Sequence, residues 1–472
     1  MKKIFIYIIG IVISLQASAQ HQEVDEKPDV WKEKEQETDS TSILSAFRKG
    51  TFSGHFKYYF MATDNKAGLT DYYANAVGGG IKFETSRFKN FQIGVSGFFV
   101  FNIGSSDLTV PDPITNNMNR YEIGLFDVED PSNKKDIDRL EELYIKYHFK
   151  NNNITLGKQL LNTPFINLQD GRMRPTEVEG IWAEINSIKK IKLQLGYLFG
   201  MSPRGTVKWY NVAESIGIYP VGIDVEGLKS QYAGNLESKG IVLGGITYRL
   251  NENLKLQFWN QYTENIFNSA MLQTDYEYAL TEKSKLFAAA QLIKQDAVKN
   301  GGNIDPSKTY YEKNAKAVSF GGKLGWKNKK WETSLNYNRI TAKGRYLMPR
   351  EWGRDPFFTF LPRERNEGLG DVNAFVGKIN YKIPKARITT SFAFGVYKLP
   401  DVLNYRLNKY GLPSYNQLNI DVRYKFGGLL KGLETQLLYV YKGKTGNSHN
   451  NDKYVINKVD MNLWNLVLNY QF

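Results

Sequence analysis

The feature that most restricts this chain is an alternation that runs through nearly all of it. From Thr51 to Phe472, apolar and polar residues alternate in run after run. The last run, residues 460–472, reads DMNLWNLVLNYQF. Trp464, Leu466, Leu468, Tyr470 and Phe472 fall on one face of a strand. Asn465, Val467, Asn469 and Gln471 fall on the other, because strand side chains point alternately to the two sides. Chain ends usually fray. An end that stays amphipathic to its last aromatic needs apolar material on one side of a sheet and water on the other.

The runs predict strands near residues 51–63, 74–86, 90–103, 139–149, 153–159, 178–187, 190–200, 238–250, 253–265, 269–281, 284–295, 315–327, 330–341, 371–383, 386–398, 416–426, 432–443 and 457–472. Tight connections such as KNNN at 150–153 and KNKK at 327–330 alternate with long ones at 104–138, 160–177, 201–237, 296–314, 342–370, 399–415 and 444–456. Brief turns at one end and extended loops at the other are the rhythm of an up-and-down barrel. Eighteen is even, as a closed antiparallel sheet with both ends on one side requires. Hydrocarbon offers no hydrogen-bond partners, so a sheet crossing it must close and leave no edge. The expectation is an all-β transmembrane antiparallel barrel of about 18 strands.

The composition agrees. Mean hydropathy is −0.45, and no apolar run of helical-span length follows the first twenty residues, which excludes a helical membrane protein. Aromatics make up 14%, as in barrels whose rings crowd both membrane interfaces. Residues 1–19 read as a secretory signal: Lys2 and Lys3, an apolar core from Ile4 to Leu15, then Ala17-Ser18-Ala19. Residues 20–50 read as a polar periplasmic tail, and 51–472 as the barrel. The expected location is the outer membrane of a Gram-negative cell, with lipid, lipopolysaccharide and the barrel-assembly machinery as partners. The aromatic C-terminus resembles the signal which that machinery reads. There is no cysteine, hence no disulfide and no thiolate metal site.

The formal net charge is +14. Residues 20–50 are net acidic, so the surplus belongs to the barrel. In an exported chain this field suits small anionic solutes better than nucleic acid. Sorting the faces places Lys57, Lys82, Lys146, Lys192, Lys255, Lys323, Lys378, Arg423 and Lys425 toward the lumen. A charge on the lipid face near the midplane costs roughly 2–4 kcal/mol. Two readings of these residues stay open: lysines that merely solvate a wet lumen, and a collective basic wall that draws anions through.

The stretch 157–180, GKQLLNTPFINLQDGRMRPTEVEG, differs from the other long loops. It holds Pro164, Pro175 and an Asp-Gly turn, and also Leu160, Leu161, Phe165, Ile166 and Leu168, which a solvated loop does not need. Folding this third outer loop inward would bury those residues and place Asp170, Arg172 and Arg174 at a constriction. Here the chain resembles the OprD family of outer-membrane porins. That pattern has a Gly-Lys/Asp-Gln start, then Thr-x-Pro, then Asp-x-Arg-x-x-Pro followed by glycine. This chain gives Gly157-Lys158-Gln159, a compressed Thr163-Pro164, Asp170-Gly171-Arg172-Met173-Arg174-Pro175, and Gly180. GHFKYYFMATDN, TDYYANAVGGGIKFET, WGRDPFFTF, NEGLGDVNAF and DVRYKFGGLLKGLETQLLYVY match as well. The resemblance implies an 18-stranded monomeric barrel whose third loop narrows the pore and whose basic ladder guides carboxylate-bearing solutes. By position it assigns Asp170, Arg172 and Arg174 to the constriction loop. It adds Arg345, Arg350, Arg354, Arg363 and Arg365, on the seventh outer loop, as candidates for solute contact. Rim salt bridges or lipopolysaccharide contacts are the other reading of those five.

Catalytic chemistry has little support. The four histidines, His21, His55, His148 and His449, show no metal-ligand spacing, and no nucleophile elbow or phosphate-binding motif occurs. The expectation is no enzyme and no cofactor. Asp127, Glu129, Asp130, Asp136 and Asp138 have the donors a calcium ion takes, but the same run suits a solvated loop. A passive channel for small solutes competes with an adhesion or structural barrel that has a closed pore, and with a barrel enzyme, which would need a nucleophile–base pair.

Overall fold

The computed structural model describes residues 30–31, 39–168 and 171–472. The expected signal segment, most of the tail as far as residue 38, and Asp170 lie outside the described residues. The chain forms eighteen long strands: β1 (Thr51–Asp64), β2 (Tyr72–Glu84), β3 (Phe91–Ser105), β4 (Ile137–Phe149), β5 (Asn152–Gln159), β6 (Glu177–Ile185), β7 (Ile191–Ser202), β8 (Ile241–Arg249), β9 (Leu254–Thr263), β10 (Phe267–Thr281), β11 (Ser284–Ala297), β12 (Lys316–Asn328), β13 (Trp331–Ile340), β14 (Val372–Ile383), β15 (Ile388–Lys398), β16 (Tyr415–Lys425), β17 (Leu433–Lys444) and β18 (Met461–Gln471). Each pairs antiparallel with the next. A two-residue strand, Tyr210–Asn211, adds to the end of β7. The sheet closes where β1 meets β18, in register from His55 opposite Gln471 to Asp64 opposite Asn462. The predicted barrel and its eighteen strands are therefore present, with boundaries moved by a few residues. β18 starts later than the pattern suggested because Asn457 and Asp460 take left-handed backbone, at φ 55° and 51°, and hold the preceding residues in a turn.

The two faces part as the alternation requires. Phe56, Phe99, Leu143, Leu195, Leu335 and Trp464 are exposed on the outside. Gln92, Gln257, Gln291, Asn336, Asn419 and Asn465 are buried inside. A band of apolar side chains around a polar interior is the arrangement hydrocarbon imposes on a membrane barrel. The seam is held to the end of the chain. The amide of Gly54 donates to the Phe472 carbonyl at 3.1 Å, and the amide of Phe472 donates to the Gly54 carbonyl at 2.9 Å. The Phe472 ring lies over Gly54, where a Cβ would sit 2.2 Å from it. Only glycine allows that approach.

One irregularity matters for the interior. The register between β3 and β4 shifts between Val95 and Gly97, which face Leu143 and Leu140. β4 thus carries one extra residue, a bulge that turns Glu141 and Glu142 inward together. Both are buried, as are Ile137 and Arg139, while Asp138 and Leu140 are exposed. Ser96 lies opposite; its hydroxyl donates to Glu142 Oε2 at 3.1 Å and accepts from the Glu142 amide at 3.1 Å.

Before β1, a short helix, α1 (Ile43–Arg48), starts at Ser42, whose hydroxyl accepts from the Ser45 amide at 3.1 Å. It packs on the turn that follows β2: the Ser86 amide donates to the Ala46 carbonyl at 3.1 Å.

Candidate solute pathway

Two long loops lie against the inner wall and against each other. In the loop 160–176, Leu161, Phe165, Ile166 and Leu168 are buried. Leu161, Phe165 and Ile166 belong to an apolar cluster with Trp352 and Phe357 of the loop 341–371 and with Phe267 and Met271 of β10. Asn167 is the clasp between the loops. Its amide nitrogen Nδ2 donates to the Arg354 carbonyl at 2.8 Å, and its Oδ1 accepts from the Arg354 amide at 3.1 Å. The wall holds both loops with side chains from its inner face. Lys57 Nζ on β1 donates to the Arg172 carbonyl at 2.8 Å. Gln291 on β11 donates to the Pro356 carbonyl at 3.1 Å. Gln417 on β16 donates to the Pro362 carbonyl at 2.8 Å. Strand polarity, local in the sequence, thereby fixes where the loop residues stand.

Two cavities flank these loops. One, of about 760 Å³, lies toward the long-loop end and is lined by residues such as Arg120, Tyr121, Tyr219, Arg350, Glu364 and Arg365. The other, of about 520 Å³, lies toward the short-turn end and is lined by residues such as His55, Lys57, Glu141, Asp421, Arg423 and Asn465. Four residues line both: Arg172, Arg354, Phe360 and Arg363. Three guanidinium groups and one aromatic ring therefore border both spaces. Arg354 stacks on Phe360, with Cζ 4.4 Å from the ring centre. Arg363 lies 5.6 Å over the Tyr121 ring and, with the Asn465 amide oxygen turned toward it, donates from Nη2 at 2.9 Å. Arg172 donates from Nη1 to the Tyr121 carbonyl at 2.6 Å. Stacking and carbonyl contacts hold the planar groups rigid, which suits them to grip a carboxylate through two oxygens.

The other predicted cations divide by role. Arg350 and Arg365 line the larger cavity, at 5.2 and 4.6 Å over the Tyr410 ring. Arg345 instead ties loops together, donating to the carbonyls of Ile223 at 2.9 Å and Asp224 at 2.7 Å. Arg174 is 2% exposed and donates to the carbonyls of Ile137, at 3.3 Å, and Thr206. Its neighbour in sequence, Arg172, is the one that reaches the junction.

Of the nine wall cations, several face carboxylates. Lys82 pairs with Glu142 at 3.1 Å and Lys255 with Asp275 at 3.3 Å. Lys192 approaches Glu184 at 3.9 Å. Arg423 meets Asp421 at 3.1 Å and Glu434 at 3.0 Å, and Lys425 meets Glu434 at 3.5 Å. Lys146 lies 5.0 Å over Tyr144, Lys323 lies 5.1 Å over Phe358, and Lys378 is buried on the inner face of β14. The wall is thus a lattice of both signs, and its cations are less bare than their spacing alone suggests.

Acidic groups stand beside the arginines too. Asp355 is pushed up to about 7 by burial and then by Glu367, against the pull of Arg354 and Arg365. Glu364 is raised well above its ordinary value by burial and then by Asp355. Lys409 is brought down to about 8, mainly by burial. In the acidic loop, Glu129 accepts from Tyr210 at 2.6 Å and Lys208 at 3.3 Å. Among the described residues its carboxylates do not gather into a cation site.

Tyr121, Phe360 and Arg139 were not anticipated. Arg139 donates to the Pro175 carbonyl at 3.1 Å and so pins the end of the loop 160–176. Counted back from Lys146, simple alternation puts position 139 on the outer face, and the bulge reverses that phase. Phe360 sits in the aromatic-rich PFFTF run, a signal that was present but not assigned to the pore.

A closed antiparallel barrel with a polar, loop-narrowed interior defines the class of the outer-membrane porins. Residues 118–348 match the family model described as outer membrane porin, OprD family. The fold is that of solved porins. OpdK of Pseudomonas aeruginosa, solved with vanillate, shares 14% identity at a TM-score of 0.68, over 90% of this chain and 99% of that one. OccK9 (OpdG) of the same organism shares 15% at 0.69, over 90% and 99%. OccAB2 of Acinetobacter baumannii shares 13% at 0.69, over 91% and 99%. Identities this low speak to the fold. No curated protein matches in sequence. The resemblance to the OprD family is borne out by the matched segment, and the barrel fold by the solved porins.

Proposed function

We propose that the chain is a passive, selective pore for small anionic, carboxylate-bearing solutes. The observation that carries this reading is the junction of the two cavities at Arg172, Arg354 and Arg363. A solute crossing there passes within reach of three rigid guanidinium groups, where water is scarce and charge attraction is strong. Arg350 and Arg365 lead toward that point from the outer side, and Lys57, Arg423 and Lys425 lead away on the other. The loops 160–176 and 341–371 are the narrowing element. Interleaved carboxylates keep an anion from being held too tightly, since conduction requires release as well as capture. Support also comes from OpdK, whose structure was solved with vanillate, a carboxylate. The N-terminal segments 1–19 and 20–50 are assigned as signal and periplasmic tail.

The test is reversal potential in a salt gradient across a planar bilayer. Replacing Arg172, Arg354 and Arg363 by alanine, singly and together, lowers the preference for chloride over potassium. Unchanged reversal potentials in the triple variant sink the assignment, and absence of current from every protein sinks the pore itself. Arg174→Ala is the contrasting variant: it changes stability more than selectivity.

A further inference from the structure

The cavity on the short-turn side holds a group that none of the strands or long loops supplies. Val30, from the segment before α1, is among its lining residues. The next residue, Trp31, is seated on the inner wall. Its indole Nε1 donates to Glu142 Oε2 at 2.7 Å. Its ring lies 4.8 Å from the His55 ring, which lies 5.0 Å from that of Phe98. Under the indole is Gly80, where a Cβ would stand 3.0 Å from the Trp31 ring and 2.8 Å from Phe98. A side chain at that position would lift the ring off the wall.

The seat is built from side chains on the inner face of the wall. The β4 bulge turns Glu142 inward beside Glu141. Ser96 and Lys82 then fix both oxygens of the Glu142 carboxylate, at 3.1 Å each. Gly80, with no side chain of its own, leaves room for the indole. A hydrogen bond to a charged acceptor and a tilted ring contact with His55 fix the indole on the wall. The same cavity reaches Arg172, Arg354 and Arg363 at its other end. Val30 and His55, the neighbour of Trp31 in sequence and its ring partner, line that cavity, so Trp31 stands at its wall.

We propose that Trp31 is a second selectivity element of the pore. The chain's own indole narrows the short-turn half of the lumen and limits the size of solutes that have passed the arginines. This rests on the pore reading above, and the experiment separates the two. Full-length wild-type, W31A and W31F proteins are compared by single-channel conductance and by liposome swelling with solutes of increasing size, their folded state checked by heat-modifiable gel mobility. W31A is expected to conduct more and to admit larger solutes. W31F, which keeps a ring and loses the donor, is expected to fall between. A wild-type protein that is silent while W31A conducts supports the same conclusion more strongly. Equal conductance and equal size limits for wild type and W31A overturn the proposal while leaving the pore intact. Silence from all three proteins overturns both.

Discussion

Asp355 shows how much the junction depends on single side chains. Its carboxyl is buried among Arg354, Arg365, Glu364 and Glu367 and titrates near pH 7. Lowering the pH from 8 to 6 adds a proton there, removes one negative charge beside Arg354 and Arg365, and makes the cavity more positive. Anion preference, read as reversal potential, therefore rises as the pH falls through that range. Asp355→Asn holds the protonated charge state and flattens this response; a pH step that survives in D355N assigns it to another group. At this scale the sequence was only partly legible. The cluster of arginines between 345 and 365 stood out, but nothing local separates Arg345, which binds loop carbonyls, from Arg354, which faces the path. That sorting depends on partners such as Asp224 and Asn167, more than a hundred residues away in the chain.

Strands were legible because the period of two is a local property, and lipid outside with water inside enforces it along every run. The β4 bulge was not, because an inserted residue shows only when a partner strand reveals the missing opposite number. It reverses the phase for Arg139 and creates the paired inward glutamates. The loop 160–176 was recognisable from its buried apolar residues, whereas the insertion of 341–371 beside it rests on distant glutamines, Gln291 and Gln417. The seam between β1 and β18 supplies the prediction at this scale. Removing Phe472 deletes two backbone hydrogen bonds and the ring over Gly54, and Gly54→Leu displaces that ring by contact. Both variants should reach the membrane but fold more slowly into heat-modifiable barrel than the wild type. Unaltered folding kinetics in vesicles would remove the seam from the list of slow steps.

For the whole molecule, the decisive division is between the hydrocarbon side and the water side. Leu335, midway along β13, is 72% exposed on the outer face. Leu335→Lys should destabilise the barrel by roughly 2–4 kcal/mol, the cost of a charge near the bilayer midplane. Its sequence neighbour Ser334, on the inner side, should tolerate lysine with a much smaller effect. Urea titration in lipid vesicles measures both, and equal losses would contradict the assignment of faces.

Closure between the first strand and the last has one more consequence. More than four hundred residues separate His55 from Gln471, so this contact cannot form until nearly the whole polypeptide is present. Bringing such remote segments together carries an entropic penalty that no local pairing relieves beforehand. Until that last pairing forms, the first and last strands each keep an edge without partners, so the seal is the step that completes the hydrogen bonding of the whole cylinder.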